Sequence, residues 1–188
     1  IRVDKHQRTS QPHIWALGDV SSDRLLKHVA NAEARTVAAN LLIDGGELAA
    51  TDHRYIPHAV FTEPQIAAVG ATEEQLQEWG TPYVEFKQRY ADVAFGWALE
   101  DEGHFVKLLA DPRTWHLLGA HIIGPQAATL IQPMIQAMSF GQTVQELARG
   151  QYWIHPALTE VLENALLGLL KAPRRNSTPE TAIKASEP

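Results

Sequence analysis

The segment GHFVKLLADPRTWHLLGAHIIG, residues 103–124, constrains this chain more than any other. Two apolar runs flank Asp111-Pro112-Arg113-Thr114, a stretch with turn chemistry, and that pattern predicts an antiparallel hairpin. The flanking sequence agrees with it. PHAVFTEPQIAAVGATEEQLQEWG gives two short strands about Pro64, then a helix with Thr72 as N-cap and Gln75 placed to complete a capping box. PYVEFKQRY alternates as a strand. QAATLIQPMIQAMSFG reads as a helix interrupted by Pro133, which predicts a kink or a new start. TVQELARG is a short helix with Thr143 as cap and Gly150 as stop. ALTEVLENALLGLLK is the last helix, with a wide apolar stripe at Leu158, Val161, Leu162, Ala165, Leu166 and Leu169. Residues 55–171 therefore read as an α+β domain, an antiparallel sheet with helices.

Residues 1–54 follow a different grammar. HIWALGDV, residues 13–20, suits a buried strand whose end meets a loop or a ligand. A helix follows, with apolar positions Leu25, Leu26, Val29, Ala30, Val37, Ala38, Leu41 and Leu42, and Gly45-Gly46 stop it. One strand and one helix cannot enclose a core, because a strand of this kind needs parallel neighbours. Together with a first residue that is Ile and not Met, this predicts the last piece of a larger α/β domain. At the other end, residues 172–188 are rich in Pro, Ser, Thr and charge and predict a flexible tail.

Bulk chemistry removes several classes of function. The formal net charge of −6 argues against broad binding to nucleic acid or to an anionic membrane surface. No apolar run approaches the roughly 18 residues needed to span a bilayer. The chain has no cysteine, so it holds neither a disulfide framework nor a thiolate metal site. His53, His58, His104, His116 and His121 show no metal-ligand spacing, and no metal is expected. A cytoplasmic protein is the expectation.

QYWIHPALTE, residues 151–160, carries the most chemistry. Pro156 suits the first turn of a helix, which would put His155 at the helix entrance and Glu160 one turn inside. A His so placed is either a satisfied structural residue or a general acid–base whose ring a carboxylate orients. Tyr152 and Trp153 beside it either pack or line a cleft.

Three motifs in order, QRTSQPHIWALGDV, VFTEPQIAAVGATE and HPALTE, resemble the carboxyl-terminal part of the flavoprotein disulfide reductases. That family includes glutathione reductase, dihydrolipoamide dehydrogenase and mercuric reductase. The resemblance covers residues 1–171. LLKHVANAEAR, FGWALED, IQPMIQAMSFG and ARGQYWIHPALTEVLENALLGL resemble its NADPH-dependent branch that reduces mycothiol disulfide, the mycothione reductases. The resemblance implies that residues 1–54 end an FAD-binding domain and that residues 55–171 form the dimerisation, or interface, domain of a homodimer. Gly18 and Asp19 would contact the flavin, and the helix from Lys27 would lie beside its ring. His28 either lines the flavin or fills a partly buried helix position. His155 would reach into the partner subunit's active site with Glu160 orienting its ring, to protonate the thiolate leaving a small-molecule disulfide. Ala157 stands where the family usually has Thr. Met134, Met138 and the stripe from Leu162 to Leu169 would meet the partner subunit. The chain contains no GxGxxG and no redox cysteines, so the resemblance also implies that it is inactive alone, with FAD and NADPH held mainly elsewhere. The alternatives are a non-catalytic dimerisation module, or the same family acting on dihydrolipoamide, mercuric ion or a quinone.

Overall fold

A computed structural model describes residues 1–173. The tail expected at 172–188 therefore falls almost wholly outside the described residues. The chain divides into two compact units, Ile1–Ile56 and Pro57–Pro188.

The first unit is organised by one helix, α1 (Lys27–Leu42). Its buried face is mostly polar: Val29 and Val37 share it with Glu33, Thr36 and Asn40. These polar side chains serve the connection that follows, which runs back along the helix without secondary structure of its own. Asn40 accepts from the Ala49 N–H at 2.7 Å and donates to the Ala49 carbonyl at 2.9 Å. Thr51 donates to Thr36 at 2.9 Å. Each bond satisfies a backbone or hydroxyl group that burial would otherwise leave costly. Leu25, Leu41 and Leu42, expected on the inner face, are exposed, and the helix ends three residues before Gly45.

Residues 13–20 are not a strand. Trp15 makes a single antiparallel bridge to Arg8, and Gly18–Val20 closes into a 3-10 turn. A ladder needs a second extended segment alongside. Here the neighbour is the tight turn at Asp4–Arg8, in which Asp4 accepts from the His6 and Arg8 amides, and it supplies one pairing position.

The second unit is a five-stranded, wholly antiparallel sheet in the order β1-β2-β5-β4-β3. The strands are β1 (His58–Val60), β2 (Ile66–Gly70), β3 (Val84–Arg89), β4 (Phe105–Ala110) and β5 (Leu117–Ile123). The hairpin expected from residues 103–124 is β4–β5, with Val106 opposite Ile122 and Leu108 opposite Ala120. Its turn is held by Asp111, whose carboxylate accepts from the Arg113 and Thr114 amides. The helix after β2 is α2 (Glu73–Glu78), and its capping box is complete: Thr72 accepts from the Gln75 N–H and Gln75 accepts from the Thr72 N–H. A short helix, α3 (Ala94–Ala98), follows a 3-10 turn at Tyr90–Asp92; five residues are too few to show a period, and the sequence does not reveal it.

Pro133 produces a new start rather than a kink. α4 (Ala127–Leu130) ends, and α5 (Gln132–Phe140) begins with Pro133 in its first turn. α6 (Val144–Arg149) carries a second capping box, between Thr143 and Glu146. The last helix, α7 (Glu160–Leu169), lies on β3 and β4. Val161, Leu162, Ala165, Leu166 and Leu169 are fully buried there, and Met134 and Met138 are buried too. The surface expected to meet a partner is thus the domain's own core. An apolar helical stripe states that it will be covered, not by which chain, and this sheet covers it. Gly168 permits the contact: a Cβ at that position would lie 2.2 Å from the Phe86 ring of β3.

Candidate functional site

The segment between α6 and α7 presents the His155–Glu160 pair. Trp153 donates its indole N–H to the Ala148 carbonyl at 3.2 Å, which ties the segment to the end of α6. Trp153 is half-buried against that helix end, while Tyr152 and Ile154 are exposed. The His155–Pro156 bond is cis. Pro156 does not enter the helix; residues 157–159 turn first, and α7 starts at Glu160 itself rather than a turn earlier. The Glu160 carboxylate braces this turn. One oxygen, Oε2, reaches back to accept the Ala157 N–H at 3.1 Å, so the backbone donor is satisfied ahead of the first helical residue. The other, Oε1, lies 2.8 Å from His155 Nδ1.

This arrangement sets the ring's chemistry. With a carboxylate on Nδ1, that nitrogen carries the proton, and Nε2 is left for a substrate or a proton. Nε2 has no partner among the described residues, and the His155 side chain is 68% exposed against 18% for Glu160. The His155 ring, helped by the Ala157 amide, holds the Glu160 carboxyl below the ordinary glutamate range against the opposing effect of burial. The ring thus has one nitrogen anchored and one without a partner among the described residues.

The second cluster lies in the first unit. Gly18 adopts a left-handed backbone, φ +69°, which an L side chain rarely tolerates. Its carbonyl accepts from the Ser21 and Ser22 amides, both at 2.9 Å. Its N–H donates to Glu33 at 2.6 Å. Asp19 follows directly, exposed, its carboxylate making no bond to the described residues. Lys27 and His28 begin α1 and are both exposed in this chain. The Lys27 ammonium donates to Asn31 at 3.2 Å. Sequence reasoning missed Glu33 and His53. A carboxylate one turn from Val29 and one turn from Val37 was the available signal: it put a charge on the buried face of the helix.

Within the described residues no group of three or more His, Cys, Asp or Glu could hold a metal, and no helix is long and apolar enough to cross a membrane.

Comparison with known proteins decides the family. Residues 56–166 match the pyridine nucleotide-disulphide oxidoreductase dimerisation domain. The chain belongs to that family. It is 61% identical over 172 residues to a mycothione reductase of Mycobacterium tuberculosis, covering 90% of this chain and 38% of that protein. It is 36% identical over 170 residues to a dihydrolipoyl dehydrogenase of Mycobacterium bovis, covering 90% and 36%. Among solved structures, LpdA from Mycobacterium tuberculosis superposes with a TM-score of 0.81 at 27% identity, over 89% of this chain and 36% of LpdA. The flavoprotein disulfide reductase RclA from Escherichia coli gives 0.79 at 28% identity, over 88% and 38%. The chain thus spans a little over a third of the length of the relatives it matches.

Proposed function

We propose that this chain is the carboxyl-terminal portion of an FAD- and NADPH-dependent disulfide reductase acting on mycothiol disulfide. In this reading residues 55–171 pair two subunits of a cytoplasmic homodimer, and His155 serves the partner subunit's active site as acid–base. The observation that supports it best is the His155–Glu160 geometry: Nδ1 anchored at 2.8 Å and Nε2 open to solvent. The 61% identity to a mycothione reductase favours mycothiol disulfide over dihydrolipoamide.

The residues present fit a flavin contact. The Gly18 turn places an unengaged Asp19 carboxylate at the surface, suited to accept from ribitol hydroxyls, and Lys27 opens a helix whose first amides lack a side-chain cap. FAD, when bound, carries reducing equivalents from NADPH to a redox disulfide. This chain has no cysteine, so its own part in the chemistry is proton handling. His155 holds a proton at Nε2. The substrate thiolate released by thiol–disulfide exchange takes it, and the ring returns to the neutral form with its proton on Nδ1 facing Glu160. Glu160 stays ionised throughout and orients the ring through Nδ1.

The test is made in the full-length reductase containing this chain. His155→Ala should leave flavin reduction by NADPH nearly intact while disulfide turnover falls about 10²–10⁴-fold. Glu160→Ala should do less, and the double variant should match His155→Ala, because the two act as a unit. Stopped-flow reduction beside steady-state turnover separates the half-reactions. Full disulfide turnover in His155→Ala would make His155 a structural residue.

A further inference from the structure

Glu33 is a buried carboxylate that the acid–base reading does not use. Its side chain is 2% exposed, on the inner face of α1 between Val29 and Val37. Burying a carboxylate is costly unless each oxygen finds a strong partner. Both do. Oε2 accepts the Gly18 N–H at 2.6 Å, and Oε1 lies 3.1 Å from His53 Nε2. An apolar side chain at position 33 would pack against Val29 and Val37 without that cost. It would leave the Gly18 amide, in a buried left-handed turn, with no acceptor.

Gly18 is thereby held at both ends. Glu33 fixes its N–H, and the Ser21 and Ser22 amides fix its carbonyl at 2.9 Å. The residue between those anchors and solvent is Asp19. Its direction follows from the φ of +69° at Gly18, and the Glu33 bond maintains that turn. His53, 43% exposed and carried by the connection after α1, meets the same carboxylate from the other side.

We propose that Glu33 is a positioning residue for the flavin contact: it clamps the Gly18 turn so that Asp19 presents its carboxylate to FAD in one orientation. The inference rests on the reading of Gly18–Asp19 as a flavin contact, and its test separates the two. In the full-length reductase, FAD is titrated into apoprotein and followed by quenching of flavin fluorescence. Asp19→Ala should weaken FAD about tenfold to a hundredfold, the scale of one lost hydrogen bond to a charged group. Glu33→Ala should weaken it about tenfold, since Asp19 stays but loses its orientation. Glu33→Gln should recover most of that loss, because its carbonyl still accepts from Gly18 and its amide still faces His53. The Asp19→Ala/Glu33→Ala double variant should bind no more weakly than Asp19→Ala, because Glu33 acts only through Asp19. Losses that multiply in the double variant would show general destabilisation and overturn the proposal. So would a Glu33→Ala variant with unchanged FAD affinity beside a weakened Asp19→Ala. An unchanged Asp19→Ala would instead remove the flavin-contact reading and the proposal with it. If Glu33→Ala does not fold, Glu33→Asp carries the same cycle under the same criterion, since it keeps the charge but withdraws it from Gly18 by one methylene.

Discussion

Gly168→Ala tests the packing that places the His155–Glu160 pair. In an exposed helix this substitution adds about 1 kcal/mol, because glycine is the more disordered residue in the unfolded chain. In α7 the added methyl would lie 2.2, 2.3 and 2.5 Å from three atoms of the Phe86 ring. Carbon–carbon contacts are comfortable at about 3.5–4.0 Å, so helix and strand must separate by more than an ångström locally or the ring must leave its rotamer. Such overpacking costs about 1–3 kcal/mol and exceeds the propensity gain wherever the ring cannot turn aside. With the ring held on β3 the cost falls in the upper part of that range, and the expected net loss is up to about 2 kcal/mol, read as a lower denaturant midpoint at unchanged slope. Phe86→Leu/Gly168→Ala, which removes the obstructing ring edge, should regain most of the loss relative to Gly168→Ala. Because Glu160 is the first residue of the same helix, the single variant should also lower disulfide turnover more than flavin reduction. A Gly168→Ala protein as stable as its parent would refute the close seating of α7 on β3, and with it this account of how the pair is held.

Two further outcomes follow from the caps and the charges. Thr143→Ala removes the acceptor of the Glu146 amide and breaks the capping box that starts α6, so it should cost about 0.5–2 kcal/mol in thermal or denaturant unfolding. The Glu160 carboxyl is depressed by the His155 ring and the Ala157 amide, so the unfolded chain binds its proton more readily than the folded one. Its stabilisation is therefore complete above the ordinary glutamate value of 4.5 and is lost as pH falls through the depressed folded value. Parent and Glu160→Gln stabilities should converge in acid, and parallel stability curves across that range would contradict the pairing.

Much of the second unit was legible because its signals are local. The β4–β5 hairpin follows from two apolar runs about Asp111-Pro112, and the starts of α2 and α6 follow from Thr72 and Thr143. What failed depends on distant neighbours. HIWALGDV has the composition of a strand, but pairing is a property of two segments, and Trp15 meets only Arg8. The stripe on α7 announced burial without naming what covers it. The His155–Glu160 pairing was readable from spacing joined to the family resemblance, although the helix start, at Glu160 and not at Pro156, was not. Glu33 left one signal, a charge on the helix face of Val29 and Val37, but a glutamate in a helical pattern is ordinarily solvated, and its two partners, at Gly18 and His53, lie far away in sequence.

The polar face of α1 divides the connection after it into positions free to drift and positions that are not. Asn40 grips Ala49 through that residue's amide and carbonyl alone, so it recognises a stretch of main chain and is blind to the side chain there. Position 49, exposed to solvent, can therefore exchange among most residue types with no loss of docking, proline excepted because it lacks the amide. Positions 51 and 53 are gripped by a hydroxyl and an imidazole, and there the identity of the residue is the contact. Sequence variation along this segment should thus be uneven over only five residues, with tolerance at 49 giving way to restriction at 51 and 53, opposite a helix whose own positions 33, 36 and 40 are all confined.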